Sequence, residues 1–204
     1  MQHARQNGRF KMDAASLIAA EVEAIASSPL LSLEQLPDVE LYMEQLTSYL
    51  EERLGETLRT EGDGKIVTKP MVNNYVKDGL LPRPKNRKYG KEHLIPLMFI
   101  CFLKQSLSFQ EIKTALSLSP GEEKQREAYG HFIRLVNDYR ATYARLQADR
   151  LQRIRAAVGE DAGDEEVALL YVTLTSLEAA ADRLLCTRIL KRLQENAAER
   201  TNIP

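Results

Sequence analysis

Thr68-Lys-Pro-Met-Val-Asn-Asn-Tyr-Val-Lys-Asp-Gly-Leu-Leu-Pro-Arg-Pro-Lys-Asn-Arg-Lys-Tyr89 decides how the rest of the chain is read. Thr68 is a good N-cap, and Pro70 sits in the first turn, where a missing N–H costs nothing. The spacing predicts a helix over Lys69–Asp78 that stops at Gly79, a residue suited to the left-handed position past a helix end. Met71, Val72 and Val76 form its inward stripe. Pro82 and Pro84 then forbid helix, so the segment to Tyr89 is expected to be extended or a tight wing-like loop. That loop carries Arg83, Lys85, Arg87 and Lys88, four cations within six residues.

Outward from this stretch, helical periodicity dominates. Leu41, Tyr42, Leu46, Tyr49, Leu50 and Leu54 predict an amphipathic helix from about Asp38 to Leu54, with Asp38 as its cap and Gly55 just past its end. Glu56–Gly64 reads as a loop and Lys65–Val67 as a short strand of a small ribbon. Downstream, Lys91–Lys104 is apolar nearly all round, which places it in a core. Ser108 and Glu111 have the spacing of a capping box for a short helix ending near Leu116. Upstream, residues 1–12 read as a frayed tail, and Asp13–Ala26 as a short helix ended by Ser27-Ser-Pro29.

After Ser119-Pro-Gly121 two long helical patterns follow. One covers about residues 122–157 with a stripe of Phe132, Val136, Tyr139, Tyr143 and Leu146. The other carries Val167, Leu170, Tyr171, Leu174, Leu177, Ala181, Leu184 and Leu185 and runs to about Asn196. A short acidic turn between them predicts an antiparallel hairpin. The expected architecture is therefore mainly helical with a small β-wing. It divides into a tail and short helix (1–36), a winged helix-turn-helix domain (37–118) and a carboxy-terminal helical hairpin (119–204).

Composition narrows the function. The 204 residues are 44% hydrophobic and 28% charged, enough for a core and for solubility. No stretch approaches the length of apolar chain that a membrane span needs. No secretory signal is read at the amino terminus, and two isolated cysteines suit a reducing cytoplasm better than a disulfide framework or a zinc site. The net charge of −1 conceals two blocks. Ser32–Glu61 holds eight acids against two bases, a net of −6; Gly62–Glu92 holds eight bases against three acids, a net of +5. A local basic block asks for a local anionic partner.

That partner is expected to be double-stranded DNA. A helix of this size fits the major groove, where Asn73 and Asn74 can present amides to adenine. Thr68, Lys69, Tyr75 and Lys77 are placed to reach phosphates, and Arg83, Lys85, Asn86, Arg87, Lys88 and Tyr89 form the wing contacts. Tyr75 and Tyr89 also fit a core, so both placements stay open. His93, at the start of the next helix, reaches a phosphate or nothing. No cofactor, metal ligand set or catalytic residue is expected: the histidines are isolated, and no GxSxG, Walker, GxGxxG or HExxH motif occurs. The chain is not read as an enzyme.

Asn73-Asn-Tyr-Val-Lys-Asp-Gly-Leu-Leu-Pro82, with Arg87-Lys-Tyr89 and Ser106-Leu-Ser-Phe-Gln-Glu-Ile-Lys113, resembles the recognition helix, wing end and following helices of MerR-type transcriptional regulators. Pro37–Leu118 also resembles a bacterial family of unknown function, domain of unknown function eighteen thirty-six, whose members carry an Asn-Asn-Tyr-x-Lys motif. The resemblance implies a sequence-specific, bacterial, nucleoid-associated regulator of transcription. It also implies a homodimer through a long helix, for which Phe132, Val136, Tyr139, Tyr143 and Leu146 are the candidate contacts. Two departures stand out. Asn73 and Asn74 replace the usual Arg and Tyr, and the loop before the recognition helix is longer. A small-molecule or protein effector has no marked site. The alternatives are a protein-interaction module with a degenerate helix-turn-helix, and a monomeric architectural factor of the excisionase type.

Overall fold

The structure is a computed structural model and describes residues 13–28, 30–58, 64–119, 121–159 and 161–201. The expected tail at 1–12, Pro29 and the middle of the expected Glu56–Gly64 loop lie outside these residues. The described elements are α1 (Ala14–Ser27), a 3-10 turn (Leu33–Gln35), β1 (Leu41–Tyr42), α2 (Met43–Leu58), α3 (Lys69–Lys77), β2 (Lys88–Tyr89), α4 (Lys91–Leu103), α5 (Phe109–Ser117), α6 (Glu122–Val158) and α7 (Asp164–Thr201). The fold is mainly helical with one small antiparallel ribbon, as the periodicity predicts.

The chain divides into two compact units along lines that differ from the sequence boundaries. One comprises Ser28–Asn137 with Ala181–Pro204, the other the residues up to Ser27 with Asp138–Ala180. Both long helices therefore contribute to both units.

The larger unit is built round α4. Leu94, Leu97, Met98, Ile100 and Cys101 of this helix are fully buried, and its sequence has no polar stripe to turn outward. Leu46, Leu50 and Leu54 of α2, Val72 of α3 and Tyr129 of α6 complete the core. The Tyr129 hydroxyl donates to the carbonyl of Leu31 at 2.6 Å, so the buried phenol is satisfied. Burial also pushes the Cys101 thiol up to about 12, which makes it an inert packing group. Phe132 packs its ring 5.7 Å from Phe99 and 5.3 Å from Phe102, so the first member of the expected dimer stripe belongs to this core.

Two local expectations are corrected. α2 begins at Met43, and Asp38 does not cap it. The preceding residues are taken up by the ribbon, Leu41 opposite Tyr89 and Tyr42 opposite Lys88. Gln45 serves the helix start instead, its side-chain oxygen accepting from the Tyr42 N–H at 2.9 Å. Gly55 lies inside the helix. Second, Lys65–Val67 is not a strand. Ile66 donates its N–H to Glu51 at 2.9 Å and its carbonyl accepts from the Lys104 ammonium, so side chains satisfy the backbone that a ladder would have used. The partner strand of β2 is β1.

In the smaller unit α6 and α7 run antiparallel, because pairings at falling α6 numbers meet rising α7 numbers. Ile154 and Val167 share a cluster with Tyr171, and Ile18 of α1 packs against it. The Tyr171 hydroxyl donates to buried Gln147 at 2.7 Å, and Arg150 donates to Thr175 at 3.0 Å and pairs with Glu178. The turn between the long helices opens at Gly159, whose φ of +86° suits glycine.

Candidate nucleic-acid interface

α3 forms where the caps predict it. The Thr68 hydroxyl accepts from the Met71 N–H, Pro70 occupies the first turn, and Gly79 takes φ +75° past the end. Its two faces differ sharply. Val72 and Tyr75 are buried, with Met71 and Val76 partly buried beside them. Lys69, Asn73 and Lys77, one helical turn apart, are exposed on the opposite face, with Asn74 exposed alongside. The expected inward stripe is therefore present, with Tyr75 as a fourth member.

The loop expected to be a wing is a tight hairpin. The Lys88 N–H donates to the Lys85 carbonyl at 2.9 Å, and the two residues between, Asn86 and Arg87, have φ of 50° and 61°. Two consecutive left-handed residues mark a type I′ turn, the turn whose twist matches paired strands. The turn puts Lys85, Asn86 and Arg87 at the exposed tip, with Arg83 exposed on the approach and Lys88 half-buried. The Lys88 ammonium lies 5.6 Å from the centre of the Tyr42 ring, a cation–π contact across the ribbon.

The aromatic members of the expected site separate from the rest. Tyr75 is in the core, stacked on Phe109 at 6.3 Å, and desolvation raises its phenol. Tyr89 is also buried, its ring meeting His93 edge-on at 5.1 Å. His93 is buried too, and its Nδ1 accepts from the Gly90 N–H at 3.1 Å. Tyr75, Tyr89 and His93 thus hold α3 and the wing from behind, and no ring of the three lies on the exposed surface. Each has an apolar body that a core accepts, and among the described residues His93 Nε2 is buried without a hydrogen-bond partner.

Two lysines of the basic block are spent inside the unit. Lys69 pairs with Glu44 of α2, and Lys91 pairs with Asp38 at 2.6 Å. The opposed charge blocks of the sequence are thus partly stitched to each other. Sequence reasoning does not single out Glu44 or Asp38 as ion-pair partners, nor Tyr42 as a platform for Lys88. For the two acids, the adjacency of a −6 and a +5 block is the signal that points to them.

A cleft of about 440 Å³ lies beside the wing root, lined by Leu81, Pro82, Arg83, Lys85, His93 and Glu122 among others. Among the described residues no three His, Cys, Asp or Glu side chains converge as metal ligands would, and no helix is long and apolar enough to cross a membrane.

The family described as a domain of unknown function (DUF1836) matches the chain over residues 31–141. That span holds the ribbon, α2 to α5 and the first turns of α6, hence the whole exposed face just described. No curated protein and no solved structure matches the chain.

Proposed function

The chain belongs to the DUF1836 family, and we propose that it is a sequence-specific DNA-binding regulator of transcription with a winged helix-turn-helix. In this reading α2 and α3 are the two helices, and α3 lies in the major groove. One observation carries it. The buried side of α3 is apolar, while its exposed side presents Asn73, Asn74 and Lys77, and a tight turn and its approach in the same compact unit present Arg83, Lys85, Asn86 and Arg87. Amides suit adenine edges, and guanidinium and ammonium groups suit phosphates. The likeness to MerR-type regulators rests on the motifs alone. The cytoplasm, a two-copy form and an effector are part of the proposal.

The second reading is a module that binds an acidic protein. It is favoured by the Lys69–Glu44 pair, which neutralises a cation at the helix end where a phosphate would sit. Binding to duplexes selected from a random pool, followed by fluorescence anisotropy, separates the two. In the DNA reading, replacing Arg83, Lys85 or Arg87 flattens the slope of log affinity against log salt by ~0.9 for every phosphate the side chain had neutralised. Asn73→Ala costs ~1–3 kcal/mol on the selected site and less on random duplex. An unselective pool, with equal losses on both duplexes, refutes base reading and leaves an architectural DNA-binding factor, whereas no duplex binding at all leaves the acidic-protein module.

A further inference from the structure

The buried ring of His93 has one nitrogen without a task. Two contacts fix the ring's orientation: the Gly90 N–H donates to Nδ1 at 3.1 Å, and the Tyr89 ring meets it edge-on. Because Nδ1 accepts, the neutral ring carries its proton on Nε2, and in the imidazolium both nitrogens carry one. Nε2 is therefore a donor in either state. His93 is only 1% exposed, and among the described residues its Nε2 is the one buried side-chain polar atom with no hydrogen-bond partner. A buried donor left unbonded is costly, and such an exception calls for an explanation.

The cleft of about 440 Å³ at the root of the hairpin supplies one, because His93 is among its lining residues. Its volume falls within the roughly 300–1,000 Å³ of clefts that hold small molecules. Every lining residue belongs to the larger unit. Leu81 and Pro82 give it apolar lining, and Arg83, Lys85, Glu92 and Glu122 bring charge. Those charges select the ligand. A plain anion suits His93 Nε2, Arg83 and Lys85, but it meets two carboxylates. A plain cation suits Glu92 and Glu122, but it meets two basic side chains and an N–H donor. A molecule that carries both a carboxylate and an ammonium answers both sets. An apolar group on the same molecule has Leu81 and Pro82 to lie against.

We propose that this cleft binds a small zwitterion of the α-amino-acid class with an apolar side chain. Its carboxylate accepts from His93 Nε2 and from Arg83 or Lys85, and its ammonium donates to Glu122 or Glu92. This goes beyond the duplex reading and does not rest on it. The full chain, isotope-labelled at histidine, is titrated with leucine, valine, methionine and phenylalanine, and with acetate and ethylamine, which carry one charge each. Heteronuclear NMR reads the ring nitrogens of the three histidines, and calorimetry reads affinity. The expected result is that at least one of the amino acids binds and moves the His93 Nε2 signal. Acetate and ethylamine should bind at least about tenfold more weakly, as the loss of a charge-assisted hydrogen bond implies. Arg83 and Lys85 changed together to Ala, or Glu122→Gln, should each raise the dissociation constant about tenfold. All three positions are exposed, so the fold tolerates these changes where a substitution of buried His93 endangers it. The proposal is overturned if none of the four amino acids binds, which would leave water to satisfy Nε2. It is overturned too if binding leaves the His93 signal unmoved, if acetate binds as tightly, or if the variants bind as the parent does. The titrations contain no DNA, so a duplex result of either sign leaves their outcome untouched.

Discussion

Three ring-bearing residues show how a polar name misleads. Tyr75, Tyr89 and His93 all sit near cations in the sequence, and all three are buried. A tyrosine at a helical position three residues from Val72 obeys the period of the core, and the period outweighs the hydroxyl. Asn73 and Asn74 have no apolar body to bury, so the same period turns them outward. Glu111 is the complementary case, a partly exposed carboxylate whose oxygens are engaged. Hydrogen bonds from the Ser108 hydroxyl, the Thr187 hydroxyl and the Ser108 N–H hold it down at about 2, against an ordinary value of 4.5. A depressed carboxyl stabilises the fold above its unfolded value and loses that contribution as pH falls toward its folded one. Thermal melts of Glu111→Gln should therefore show a deficit at neutral pH that shrinks between about pH 4.5 and 2. A deficit constant across that range would show that the charge of Glu111 is irrelevant.

At the scale of elements, local signals are legible wherever the chain satisfies itself locally. The caps of α3 and the Ser108–Glu111 box bond within a few residues, so side-chain chemistry alone announces them. The start of α2 and the fate of Lys65–Val67 escape a local reading, because their backbone partners are distant: Tyr89 for Leu41, Glu51 and Lys104 for Ile66. The wing turn is only half legible. Pro82 and Pro84 exclude helix, but nothing in Lys85-Asn-Arg-Lys88 demands two left-handed residues, a conformation that Asn tolerates and Arg does not favour. Glycine at that second position would match the turn. Arg87→Gly is accordingly expected to raise the melting temperature slightly while weakening duplex binding and flattening its salt dependence. A variant with lower stability would argue that the Arg87 side chain holds the wing in place.

For the whole molecule, the contrast between the two units matters most. The larger has a core of more than twenty buried apolar residues organised round α4; the smaller cluster is Ile154, Val167 and Tyr171 with partly buried neighbours. Local opening free energy follows the apolar surface that is buried, so amide hydrogens of Leu97–Ile100 should exchange far more slowly than those of Leu170–Thr175. Hydrogen exchange read by mass spectrometry checks the order, and equal protection would mean that the two units open together.

The amino-acid sequence by itself determined the helical class, the extent of α3, α5 and α6, the presence of α7, the buried character of α4 and the family. The family rests on the resemblance of its motifs, and each of the others rests on periodicity or on pairings a few residues apart. Tertiary structure decided which strand pairs with the wing, that acids of the Ser32–Glu61 block neutralise Lys69 and Lys91, that Tyr75 and Tyr89 face inward, and that Phe132 is core while the leucines of α7 stay uncovered. Those outcomes depend on which surfaces meet across long stretches of chain. A stripe of apolar residues announces that it will be buried, but it does not name what will cover it.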